Sequence, residues 1–200
     1  LVLAGLPLDE DEIADMAIGG LLMEIASRPL PRRMVERRQP DNIAIGGVLL
    51  AAGMSRRMGN SNKLLAEIEG VPMVRRAAIA MLEGGIRDLV VVTGHEPERI
   101  AAALDGLDVR LVDNPDFAAG QAGSVAAGVT ALPETVSGAL ISLADMPFIA
   151  AELVAEMISD HGGLGDHESR ISFPVFAGRR GNPVLWGRSF FPALSRLAGD

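Results

Sequence analysis

The 200 residues are 48% hydrophobic and 22% charged, a balance that suits one well-filled core plus an appendage and excludes disorder as the prevailing state. Eighteen basic residues against 26 acidic ones leave a net charge of −8, which argues against nonspecific nucleic-acid or anionic-membrane partners, so any phosphate site must come from local positive charge. With no cysteine, three scattered histidines, no apolar run of about 18 residues and no leader pattern, a disulfide framework, Cys-ligated zinc, a cysteine nucleophile and membrane insertion are set aside, and a cytoplasmic location is the default expectation.

Residues 1–40 differ from the rest. Asp9 and Glu12 suit a helix N-terminus, and Ile13, Met16, Ala17, Leu21 and Ile25 recur on one face, so the spacing predicts a helix over residues 10–27. Gly19 and Gly20 each cost that helix about 1 kcal/mol relative to alanine, so it needs a surface to pack on. Pro29, Pro31 and Pro40 then bracket Arg28, Arg32, Arg33, Arg37 and Arg38. That stretch reads as a solvated tether; a phosphate- or RNA-binding arm is the other reading of the same arginines. The chain begins at Leu1 rather than Met, and residues 1–40 are expected to be the remnant of an upstream domain, with 41–200 a unit of its own.

From Ile43 onward apolar strands alternate with helical segments. The pattern predicts a strand over Ile43–Leu50, a helix over Pro72–Glu83 stopped by Gly84 and Gly85, a strand over Leu89–Val92 and a helix from Glu96 and Pro97 to Leu104. A strand over Val109–Val112, a helix over Gly123–Leu132, a strand over Ala139–Leu143 and a helix over Ala151–Asp160 follow. His161–Ser169 is polar and Gly-rich and reads as a mobile surface loop. Ile171–Phe176 and Pro183–Trp186 read as strands around a turn at Gly178–Gly181, and a last helix starts near Ser189. Strands separated by helices imply right-handed crossovers, hence an α/β fold of three layers around a mainly parallel twisted sheet.

Ligands of such sheets bind at the carboxyl ends of the strands, and each end here carries something polar: Gly53 to Lys63, Thr93 to His95, Asn114 and Asp145. Gly53 and Gly59 can take positive φ and lack a Cβ, so backbone N–H groups can approach a phosphate while Arg56, Arg57 and Lys63 neutralise it. An ordinary strand-to-helix turn with solvated arginines is the other reading. Asp145 is either a helix cap or, since Pro147 ends the strand and leaves the carboxylate outward, an oxygen ligand for a hard cation. Arg179 and Arg180, set among glycines, suit an acidic phosphate or a solvated hairpin tip.

The string L-A-A-G-M-S-R-R-M-G-N-S-N-K-L-L, from Leu50 to Leu65, closely resembles the signature of the nucleotidyltransferases that act on the molybdenum cofactor, especially the cytidylyltransferases. The likeness runs from Ile45 to Asp200, and L-A-D-M-P, G-Q-A-G-S and R-R-G-N-P follow in the family's order. It implies a Rossmann-like, GT-A-like fold and transfer of CMP from CTP to molybdopterin or molybdenum cofactor, with a recipient molybdoenzyme or its chaperone as a further partner. It implies Mg²⁺ on Asp145, with Asp200 as a second ligand, and Lys63 and Arg57 on the triphosphate. Leu50, Ala51, Ala52, Gly53, Ser55, Met58, Gly59, Thr93, Gly94 and Ser124 would contact the nucleotide, and Arg179, Arg180 and Asn182 the acceptor. Gln121 stands where the family has Met, and L-A-G-D at the end matches only the start of the family's closing motif. Guanylyl or other cytidylyl transfer, a pterin- or dye-type oxidoreductase and a non-catalytic cofactor carrier remain as rival readings. The missing G-x-G-x-x-G speaks against a nicotinamide site.

Overall fold

The computed structural model describes residues 2–4, 43–53, 62–163, 165–176 and 179–198. The helix expected over 10–27, the arginine-rich tether and residues 54–61 of the loop lie outside the described residues.

Four parallel strands form the heart of the sheet: β2 (Ile45–Leu50), β5 (Leu89–Thr93), β6 (Arg110–Asp113) and β7 (Gly138–Leu143). The full order is β1-β8-β11-β7-β2-β5-β6, with β1 at Val2–Ala4, β8 at Ile171–Phe173 and β11 at Val184–Gly187. β11 pairs antiparallel with β7 and with β8, and β1 antiparallel with β8. The expected parallel arrangement therefore holds where a helix makes the crossover. It gives way where a short hairpin, β9 (Val175–Phe176) with β10 (Arg179–Arg180), returns the chain directly. The edge strand β1 falls within the forty-residue lead, where the sequence predicts none. A small ribbon of β3 (Glu67–Ile68) and β4 (Val71–Pro72) follows the loop.

The helices are α1 (Met73–Glu83), α2 (Pro97–Ala103), α3 (Gln121–Thr130), α4 (Ala151–Gly162) and α5 (Phe191–Leu194). Successive residues of each strand point to opposite faces, so β2 sends Val48 to one layer and Leu49 to the other. Val48, Val92, Val125, Val129 and Trp186 fill the layer under α3 and α5. Leu49, Val91, Met81, Val154 and Met157 fill the layer under α1 and α4. Burial on both faces explains why these strands read as continuous apolar runs rather than alternating ones. At Gly128 a Cβ would strike Val48, so α3 lies on the sheet as closely as only glycine allows.

One expectation is overturned here. His161 and Gly162 complete α4 and are buried, so the surface segment expected from 161 starts only after the helix, and within it His167–Ser169 form a 3-10 turn. Val154, Met157 and His161 share one helical stripe, and Nδ1 of His161 meets the Ser172 hydroxyl at 2.8 Å. Its Nε2 is buried with no hydrogen-bond partner. Burial, aided by His167, lowers the His161 pKa from 6.5 to about 4. The fold thus holds the neutral ring, whereas the unfolded chain takes up a proton at the ordinary value. Stability from this site is complete above the unfolded pKa and is lost as pH falls through the folded value. Urea midpoints of the wild type are expected to drop by the equivalent of roughly 2–3 kcal/mol across that window relative to His161→Gln. Parallel pH dependences in the two proteins would rule this out.

Candidate active site

Because β2, β5, β6 and β7 run the same way, their carboxyl ends meet along one edge. There Nζ of Lys63 lies 3.3 Å from Oδ2 of Asp145, a pair separated by 82 residues in the chain. Their side chains are 40% and 45% exposed, open enough to meet a ligand. Hydrogen bonds from Ala144 N–H to the Leu50 carbonyl and from Met146 N–H to the Leu143 carbonyl fix the backbone on either side of Asp145. The carboxylate then projects outward, as the following proline predicts, and caps no helix.

Lys63 is held from below. It opens a 3-10 turn, Lys63–Leu65, whose N-cap Asn62 accepts a hydrogen bond from Leu64 N–H at 3.1 Å. Leu64 is buried, and the Asn62 amide donates to the His95 carbonyl at 3.5 Å, tying the turn to the end of β5. Glu96 stands next to that carbonyl with φ of +55°, an unusual conformation for a residue with a Cβ. The hydrogen bond from Arg99 at 2.6 Å holds its carboxylate below the usual range. Asn62 thus fixes Lys63, as the lysine's place between a polar and a buried neighbour implies, and Glu96 is the positioning residue that the sequence reading missed. Its only signal was a Glu before Pro97.

The other strand ends serve mainly as framework. The Thr93 hydroxyl donates inward to the Val112 carbonyl and to Asp113, and Gly94 is required because a Cβ there would run into Phe117. Ser124 accepts from the Asn114 amide at 3.0 Å, and Asn114 in turn accepts from Asp116 N–H, so β6 and the first turn of α3 are locked together. Ala51 donates its N–H to the Val92 carbonyl, and Leu50 is engaged by Ala144, so both wall the site with their backbone already bonded. Ala52 is buried and Gly53 exposed, with open space where a Cβ would stand. Ser55, Arg57, Met58, Gly59 and Asp200 lie outside the described residues.

The hairpin separates the two arginines. Arg179 is exposed; Arg180 lies over the Phe173 ring at 4.7 Å from its centroid, with partial burial lowering its pKa. Asn182 precedes Pro183 through a cis peptide bond and stands where β11 begins, level with the end of β7.

A lysine and a carboxylate brought together over the strand ends, beside a glycine-bearing loop, are what a polyphosphate needs. Residues 47–200 match the model of the MobA-like NTP transferase domain. The chain belongs to that family. Within it, the chain is 31% identical over 164 residues to nicotine blue oxidoreductase of Paenarthrobacter nicotinovorans, covering 78% of each. It is 36% identical over 110 residues to a probable molybdenum cofactor guanylyltransferase of Natronomonas pharaonis, covering 54% of this chain and 52% of that one. A solved structure of Rv0371c from Mycobacterium tuberculosis H37Rv in complex with manganese superposes with a TM-score of 0.63 at 26% identity, over 78% of each chain. The protein is thus a nucleotidyltransferase of the MobA-like superfamily with its Rossmann-like α/β fold. No helix among the described residues is long and apolar enough to cross a membrane.

Proposed function

We propose that the protein transfers CMP from CTP to molybdopterin or its molybdenum form and releases pyrophosphate. The Lys63–Asp145 pair at the strand ends carries this reading, because it puts a fixed cation and a hard oxygen ligand where a triphosphate would lie. A magnesium ion suits that donor: it takes one or two carboxylates, keeps several waters and fills its sphere with phosphate oxygens. Among the described residues no cluster of three acidic or histidine side chains competes for this role. Asp145, with Asp200 as a second candidate, would hold the ion, which supplies charge neutralisation on the phosphates when bound.

The terminal phosphate of the acceptor supplies the attacking oxygen. The new bond forms to the α-phosphorus of CTP as the bond to the bridging oxygen breaks, and its electron pair leaves with pyrophosphate. Lys63, together with Arg57, offsets the charge that gathers there. Well-oriented reactants spare about 7–11 kcal/mol of barrier, and orientation is what the capped turn under Lys63 provides. No covalent nucleophile is required. Release of pyrophosphate on mixing CTP, Mg²⁺ and molybdopterin, with none when the acceptor is omitted, is the direct test; its absence under all nucleotides would overturn nucleotidyl transfer and leave the carrier and oxidoreductase readings.

Base choice rests in part on Ala52. The Ala51 N–H is already bonded to Val92, so on this reading the Ala52 methyl narrows the space for the base, with residues near Thr93 and Gly94 adding to the discrimination. A single such group discriminates by about 1–3 kcal/mol, so CTP is expected to be preferred over GTP and Ala52→Gly to narrow the preference without reversing it. The ratio of kcat/KM values for the two nucleotides checks this. A second reading is oxidation or reduction of a planar substrate, favoured by the 31% identity to nicotine blue oxidoreductase. It predicts turnover with an electron donor and no pyrophosphate.

A further inference from the structure

Both charged groups of the site stand on backbone that is already tied down. Asn62 caps the turn that Lys63 opens and the neighbouring Leu64 is buried, while hydrogen bonds to the Leu50 and Leu143 carbonyls hold Ala144 and Met146 on either side of Asp145. What is left to move is the four-carbon stem of the lysine, whose rotamers exchange in picoseconds to nanoseconds when the side chain is this open.

The two heads nevertheless meet, with 3.3 Å between Nζ and Oδ2. The carboxylate that suits a divalent cation is thus engaged by a cation of the chain's own. Among the described residues no group of three acidic or histidine side chains is placed to hold such an ion with protein ligands alone. An ion arriving by itself must displace the ammonium and then remain close to a like charge, which opposes it. A triphosphate reverses the balance. Its several negative charges attract the ammonium more strongly than one carboxylate can, and its oxygens fill the rest of the cation's sphere. The exposed pair is weak, worth no more than about fivefold in an equilibrium constant, so it biases the order of binding without barring the ion.

We propose that Lys63 and the divalent cation compete for the Asp145 carboxylate, and that the triphosphate ends the competition by drawing the ammonium to its own oxygens, so that the ion is bound with the nucleotide rather than ahead of it. This rests on the reading of the pair as a triphosphate and metal site, and adds how the two ligands depend on each other: nucleotide and cation each raise the affinity for the other by the same factor.

The test titrates Mn²⁺ into the full chain without nucleotide and reads the free ion by its magnetic resonance signal. Lys63→Met is expected to bind the ion about threefold to tenfold more tightly than the wild type, because the carboxylate is released and a nearby positive charge is gone. Asp145→Asn should bind it more weakly, and the gain from Lys63→Met should vanish in the protein that carries both changes, since no carboxylate is left to release. An affinity that Lys63→Met leaves unchanged or lowers would overturn the competition, as would a gain that survives in the double variant or binding too weak to detect in Lys63→Met. A second measurement follows the carbon signal beside the Lys63 ammonium, assigned by its loss in Lys63→Met, as metal-free CTP or inorganic tripolyphosphate is added to the wild type. The signal is expected to shift with both; a signal unmoved by either would keep the lysine on Asp145 and overturn the proposal. A shift with tripolyphosphate and none with CTP would keep the competition and sink the cytidylyl reading. Pyrophosphate release from CTP by a protein whose Mn²⁺ affinity is indifferent to Lys63 would do the reverse.

Discussion

Asp145→Asn is expected to lose turnover by about a hundredfold or more while the protein stays folded. The substitution keeps the shape and removes the charge from an exposed side chain whose neighbours, Ala144 and Met146, are held by backbone hydrogen bonds that the change does not touch. Packing should therefore survive, and the melting temperature with it. What fails is the hard oxygen ligand, because an amide oxygen holds a divalent ion far more weakly than a carboxylate. Mn²⁺ binding in the presence of CTP, read by the ion's magnetic resonance signal, should weaken in step with the rate. Near-normal turnover with Mg²⁺ would take Asp145 out of the site.

Lys63→Met should produce the second large loss, of the order of 10²–10³ in kcat/KM for CTP. The ion pair that Lys63 makes with Asp145 is worth little to stability, since both partners are far from buried and water screens them, so the melting temperature should move by no more than about 2–4 °C. A large fall in melting temperature would instead make the lysine a structural strut. Arginine is not expected to rescue fully, because its planar fork presents its donors in a different geometry from the compact ammonium of lysine. Asn62→Ala offers a finer probe of the same point. It removes the cap and the tie to His95 but leaves the lysine, so its effect should be smaller and should fall on the rate more than on CTP binding.

The alternation of buried strands with helices was legible in the chain because local signals do not depend on partners: Leu89 to Val92 is an apolar run between turns, and Gly84 and Gly85 end a helix wherever it packs. The family was legible for a different reason, since the residues from Leu50 to Leu65 resemble its signature and residues 47–200 match its model. Three features waited for the tertiary structure. The antiparallel half of the sheet was one, because strand order depends on which edge is free when the hairpin returns, a long-range matter that no window of sequence records. His161 was another: a histidine in a polar, glycine-rich stretch reads as surface, and only the arrival of Ser172 from another element makes its burial tolerable. The last was the site itself. Sequence named Lys63 and Asp145 singly, each with a bland alternative, but 82 residues of chain separate them, and only the parallel pairing of β2 with β7 brings the two charges to 3.3 Å. By itself the sequence determined the kinds of charge available and the strands that would carry them; the sheet decided which of them meet, because contact between distant residues is set by register and packing rather than by local preference.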